Sequence, residues 1–160
     1  MVGARIDAEA LTRARAMGAR GVVVGALSSK ERRDFLASET RQRAALHRLP
    51  PFAVLVLDGA VRRPLASPVR AVLDGLIGHE VAIVTDPPML VFDPPDVPFA
   101  TTPPGHVRVR GGEHAGREGT WAGLIGLRRF AGGVHLEAGA VRLADGAMIA
   151  VALGDLERFG

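Results

Sequence analysis

His106–Gly126 reads HVRVRGGEHAGREGTWAGLIG, and its pattern decides the fold of the C-terminal third. Apolar Val107 and Val109 alternate with Arg108 and Arg110, as in a half-buried strand. Glycines then fall at 111, 112, 116 and 119, and apolar residues resume at Trp121. Strand, glycine-shaped loop, strand is the direct reading. At Gly119 a residue without a Cβ, or with positive φ, lets the chain bend sharply. Downstream, Val134, Leu136, Val141, Leu143, Met148, Ile149 and Val151 alternate as strands should. Asp145-Gly146 between two such runs signals a hairpin. Trp121 and Phe130 are expected to fill the interior, and five short strands to close on themselves.

Composition excludes several function classes. The chain has 160 residues, 48% hydrophobic and 23% charged, the balance of a folded domain or two small ones. No cysteine is present, so disulfides, thiol catalysis and Cys-ligated metals are out. No apolar run reaches the roughly 18 residues of a membrane span, and the acidic residues in MVGARIDAEALTRAR do not suit a transit peptide. A cytoplasmic location and no membrane partner are therefore expected. The sequence pI near 10.8 overstates the basic character. Formal net charge is only +3, with 13 basic and 11 acidic residues up to position 100 and 7 and 6 beyond it. Neither part is basic enough to demand phosphate binding.

Upstream the pattern changes. Asp7 is placed to cap a helix whose face holds Ala10, Leu11, Ala14 and Met17. Gly21–Gly25 (GVVVG) reads as a strand buried on both faces. Ser28 and Ser29 open a second helix running toward Leu46, and Pro50-Pro51 break it. Phe52–Leu57 is a second buried strand. Ser67-Pro68 starts a third helix with Val69, Val72, Leu73, Leu76 and Ile77 on its apolar side. Val81–Val84 gives a third strand. Helix and buried strand in alternation predict a small parallel α/β layer over residues 1–92. Three strands give it little cover, so a homodimer or a segment of a longer protein is expected. Seven prolines between Asp86 and Gly105 make that stretch extended and stiff, a linker over residues 93–104 or an extended arm lying across one domain. Residues 105–160 form the second domain. The fold class is thus α/β plus β.

GHVRVRGGEHAGREGTWAGL resembles the KOW motif, the strand–loop–strand signature of SH3-like barrels in NusG-type elongation factors and several ribosomal proteins. The resemblance rests on Val107, Val109, Gly112, Ala115-Gly116 and Gly119, with Trp121 after the motif. It extends over about residues 105–159, since RLADGAMIAVALGDLERFG is similar to the last strands and terminal turn of that barrel. It implies a five-stranded barrel that binds protein partners or RNA through loops and one exposed face. The motif loop here, with Glu113, His114, Arg117 and Glu118, sets two acids against one strong base. Protein recognition is therefore expected ahead of RNA. The expected function is a non-enzymatic binding or adaptor module in a transcription or ribosome context.

Two alternatives stand beside it. A ligand-binding or enzymatic α/β domain would place its site at the strand C-terminal ends, near Gly25, Ser28, Ser29, Asp58 and Thr85. The glycines there do not form G-x-G-x-x-G, and no P-loop lysine follows. An RNA-binding protein would use the densest basic segments, Arg41, Arg48, Arg62 and Arg63. The five histidines lie at 47, 79, 106, 114 and 135 without ligand spacing, so no metal is expected. No catalytic residue and no cofactor are assigned.

Overall fold

The structure is a computed structural model, and it describes residues 6–45, 48–61, 63–94 and 101–159. The chain divides into two compact units. One holds Met1–Leu65 and Leu73–Pro98; the other holds Ala66–Val72 and Phe99–Gly160.

In the first unit, α1 (Ala8–Ala16) begins where Asp7 Oδ1 accepts the Ala10 N–H at 2.7 Å, as its cap position predicts. Leu11 is fully buried. Met17, expected on the same face, is 87% exposed because the helix ends one residue before it. Buried Arg15 was not foreseen: its guanidinium donates to Gln42 Oε1 at 2.6 Å and lies 5.3 Å over the Phe35 ring. β1 (Gly21–Val24) and β2 (Ala53–Val56) pair in parallel around α2 (Ser29–Ala45). Val22, Val24, Leu27, Phe35, Ile6 and Leu11 form the core.

β3 (Val81–Thr85) does not join that parallel pair. It forms an antiparallel hairpin with β4 (Pro88–Phe92), a segment whose prolines had suggested an extended arm. Pro88 is tolerated because it is the first residue of a strand in a two-stranded sheet. Ile83 and Leu90 share the inner face, and Ile83 Cδ1 fills the space beside Gly21.

The second unit contains the start of α3 (Ser67–Gly75) and five antiparallel strands: β5 (His106–Val109), β6 (Glu118–Arg129), β7 (His135–Leu143), β8 (Met148–Ala152) and β9 (Leu156–Arg158). Their order is β8-β7-β6-β5-β9. The sheet is not closed, in contrast to the expected cylinder: β8 and β9 are its two edges. The predicted hairpin is present, with Gly146 at φ 84° and Asp145 Oδ1 accepting the Ala147 N–H. Val107, Val109, Val141, Leu143 and Val151 are buried together, with Trp121, Ile149 and Leu156 packed against them.

Gly119 lies inside β6, paired with Val107 on one side and Leu143 on the other, rather than at a bend between strands. Close approach makes it glycine. A Cβ there would sit 2.3 Å from the Arg142 carbonyl oxygen and 2.8 Å from Val141 Cγ1.

β6 itself is irregular. Its register against β7 shifts between Trp121 and Gly123 and again between Leu124 and Gly126, where Gly123 and Gly126 have φ of 120° and 76°. Each shift inserts one extra residue, a β-bulge. The result is that Trp121, Leu124 and Leu127, three residues apart, stand opposite Val141, Gly139 and Glu137 on one face. Phe130, expected in the core, falls past the end of β6 and is half-buried in the turn to β7.

Candidate functional site

The two bulges extend the core face of β6 beyond the core itself. Trp121 is half-buried, its ring laid over Gly139, where a Cβ would come within 2.0 Å of Cζ3. Leu124 and Leu127 continue the same face but are 68% and 66% exposed. Trp121 and Leu124 form one wall of a cleft of about 580 Å³ whose other wall is Leu153, Leu156 and Arg158. Leu153 belongs to the 3-10 turn Leu153–Asp155, and Leu156 opens β9, so the returning end of the chain builds the second wall. The volume is in the range of ligand-binding clefts, and the lining is nearly all apolar. Exposed apolar residues gathered at one place mark an interaction site more often than scattered ones do.

The polar groups near the motif loop are largely engaged with one another. Glu118, expected in the loop, is the first residue of β6 and is the centre of a hydrogen-bonded group. Its carboxylate accepts the Ser67 N–H at 2.8 Å and the Ser67 hydroxyl, and it meets His106 Nε2 at 3.0 Å. A carboxylate at the start of α3 satisfies a helix N–H and suits the helix dipole. Ser, His and an acid in contact invite comparison with a hydrolytic triad. The order is wrong for one: the carboxylate sits between Ser67 and His106, so the imidazole is not placed to take the hydroxyl proton. Arg117 pairs with Asp145 at 3.3 Å. Buried Arg108 pairs with Glu157 at 2.6 Å and ties β5 to β9. Glu113 is exposed and His114 half-buried; Gly112 (φ 72°) and Gly116 (φ 87°) make the turns of the loop.

The alternative sites are placed differently. Gly25 O accepts the Asp58 N–H at 2.8 Å, so the two strand ends do meet. Asp58, however, forms a buried pair with Arg63, Oδ2 to Nε 3.2 Å. Ser28 Oγ accepts the Glu31 N–H and caps α2; Ser29 begins that helix. Thr85 is exposed and paired with Pro88 in the hairpin. Arg63 is drawn inward by Asp58, Arg41 is on α2, Arg48 lies beyond the helix end, and Arg62 is outside the described residues. Among the described residues no three His, Asp or Glu side chains gather as metal ligands, and no helix is long and apolar enough to cross a membrane.

No family model, no curated protein and no solved structure matches the chain.

The cleft residues Leu124, Leu153, Leu156 and Arg158 were not singled out from the sequence. The signal was nevertheless present. Trp121-Ala-Gly-Leu-Ile-Gly-Leu127 repeats an apolar residue every third position with a glycine before each leucine. In a strand, that spacing keeps one face only if a bulge accompanies each glycine.

Proposed function

We propose that residues 105–159 are a KOW-type SH3-like barrel and that the chain is a non-enzymatic binding module that docks a protein partner through the Trp121–Leu124–Leu153–Leu156 cleft. Three features support the barrel. The fifth strand returns to pair beside the first, as wrapping requires. Two bulges curl β6. Val107, Val109 and Val141 are fully buried in a unit with a single sheet, which a sheet achieves by folding over itself.

The observation that carries the docking role is Leu124. It continues the core face yet stands 68% open to solvent at the mouth of an apolar cleft. The charges of the motif loop and its flanks are paired within the unit, Arg117 with Asp145, Arg108 with Glu157 and His106 with Glu118, and the cleft lining is apolar apart from Arg158, so hydrophobic contact leads.

The test is a capture experiment from native lysate with the full chain, its Leu124→Asp variant and Arg117→Ala. The expected result is a protein retained by the parent and by Arg117→Ala, lost with Leu124→Asp, and indifferent to RNase. Retention that ignores Leu124→Asp, or that collapses with RNase, would overturn the reading.

A further inference from the structure

β5 is short. Its ladder with β6 ends at His106 opposite Thr120, with one further bond from Trp121 N–H to Gly105 O at 2.8 Å. Before it stand Pro103 and Pro104, which have no N–H to extend the ladder. β6 nevertheless runs on to Arg129, held by β7 on one side. From Ala122 to Arg129 its other edge has no strand partner among the described residues. The apolar cleft opens along this same strand.

Arg158 stands in the cleft wall, and Arg128 and Arg129 end the strand. Among the described residues none of the three makes an ion pair. No carboxylate lines the cleft, and one, Glu137, stands across the ladder from Leu127. An open edge supplies main-chain hydrogen bonds, a cleft takes alternate side chains, and unmatched guanidinium groups select carboxylates.

We propose that the partner presents an extended, acidic segment that adds as a strand to the free edge of β6. The inference rests on the docking role proposed above and specifies its ligand. The regular stretch past the second bulge, Gly126–Arg129, takes the main-chain bonds, because a bulge interrupts the alternation an incoming strand needs. A bulky apolar side chain of the segment enters the cleft against Trp121 and Leu124. Carboxylates two residues from that side chain share its face and meet Arg158 and Arg129, and one on the reverse face meets Arg128. A second copy of this chain fits less well: it brings its own three arginines to an edge that already carries three.

Display of random nonapeptides against the immobilised full chain, counter-selected on Leu124→Asp, provides the probe. The expected winners carry Asp or Glu two positions from a bulky apolar residue, on the same face of the strand. A synthetic winner is then measured by fluorescence anisotropy. Binding should fall at least tenfold with Leu124→Asp and with alternate N-methylation of the peptide backbone. It should fall severalfold with Arg158→Glu and hold with Arg142→Glu, whose side chain is exposed on the other face. An unchanged unfolding midpoint shows that the variants are folded. The amides of Gly126–Arg129 should gain exchange protection. Winners without acidic bias, binding indifferent to N-methylation, dimerisation of the free chain through this edge, or no enrichment at all would each overturn strand addition. Leu124-dependent but N-methyl-indifferent binding sinks strand addition while leaving the docking role standing; Leu124-independent binding sinks both.

Discussion

Replacing Gly119 by alanine puts a methyl carbon 2.3 Å from the Arg142 carbonyl oxygen and 2.8 Å from Val141 Cγ1. The first of these is backbone, fixed in the β6–β7 ladder by the pairing of Gly119 with Leu143 and Thr120 with Arg142. The second is a fully buried core side chain. Neither can step aside without moving a strand. Overfilling a packed core costs typically about 1–3 kcal/mol, and the fixed carbonyl puts this case at about 3. For a unit of roughly 70 residues each kcal/mol lowers the midpoint by about 4–8 °C, so a fall of about 12–24 °C is expected. The assay is thermal unfolding followed by tryptophan fluorescence. Trp121 is the chain's single tryptophan and packs on this core, so the signal reports the C-terminal unit. Gly154→Ala is the control: nothing lies within 4 Å of a Cβ there, and the midpoint should hold within about 2 °C. If Gly119→Ala is as mild as Gly154→Ala, the close approach of β6 to β7 does not exist and the reasoning fails.

Three more outcomes test other parts of the structure. Glu118→Ala removes charge-assisted bonds to the Ser67 N–H and hydroxyl and to His106, and should destabilise the C-terminal unit by about 2 kcal/mol in urea titration. Glu118→Gln should lie between it and the parent, and a neutral Glu118→Ala would remove the link between α3 and β6. Arg108→Met should cost about 2 kcal/mol, below the usual range for a broken buried pair because Glu157 reaches solvent; a gain in stability would show that the pair does not clamp β9 to β5. Asp34 accepts a hydrogen bond from Lys30 Nζ at 2.8 Å, which holds its carboxyl below the ordinary value of 3.8. A depressed carboxyl favours the folded state above its unfolded pKa, and that contribution is lost as pH falls through the folded value. Carboxyl NMR should place the Asp34 midpoint below 3.8, rising in Lys30→Ala, and no difference between the two proteins would contradict the pair.

Local chemistry was readable and non-local chemistry was not. Asp7 as a cap and Asp145-Gly146 as a turn follow from side-chain oxygens and glycine torsions acting within a few residues. The buried runs of β1 and β2 were legible as strands, because continuous apolar sequence has few other uses. The fate of β3 was not, since it depended on whether Pro88–Phe92 would pair with it, and proline at a strand's first position leaves few traces in a propensity scale. Glu118 could not be taken out of the loop by inspection, because its main partner is Ser67, 51 residues away. The cleft escaped for a different reason. Alternation is read with period two, and Trp121, Leu124 and Leu127 keep period three, which makes sense only once the glycine bulges are seen. Gly119 reads as a sharp bend between strands; it lies inside β6, and what makes it glycine is packing against Arg142 and Val141 rather than a turn.

The most direct measurement is the proton NMR spectrum of the full chain with nuclear Overhauser contacts assigned around Trp121. Gly139 Hα should be shifted strongly upfield by the indole ring above it, with contacts from Leu124 to Leu153 across the cleft and from Val109 to Leu156 across the β5–β9 ladder. A Gly139 Hα at its ordinary position, together with an absence of those two contacts, would mean that β9 does not return to β5 and that there is no cleft to receive a partner.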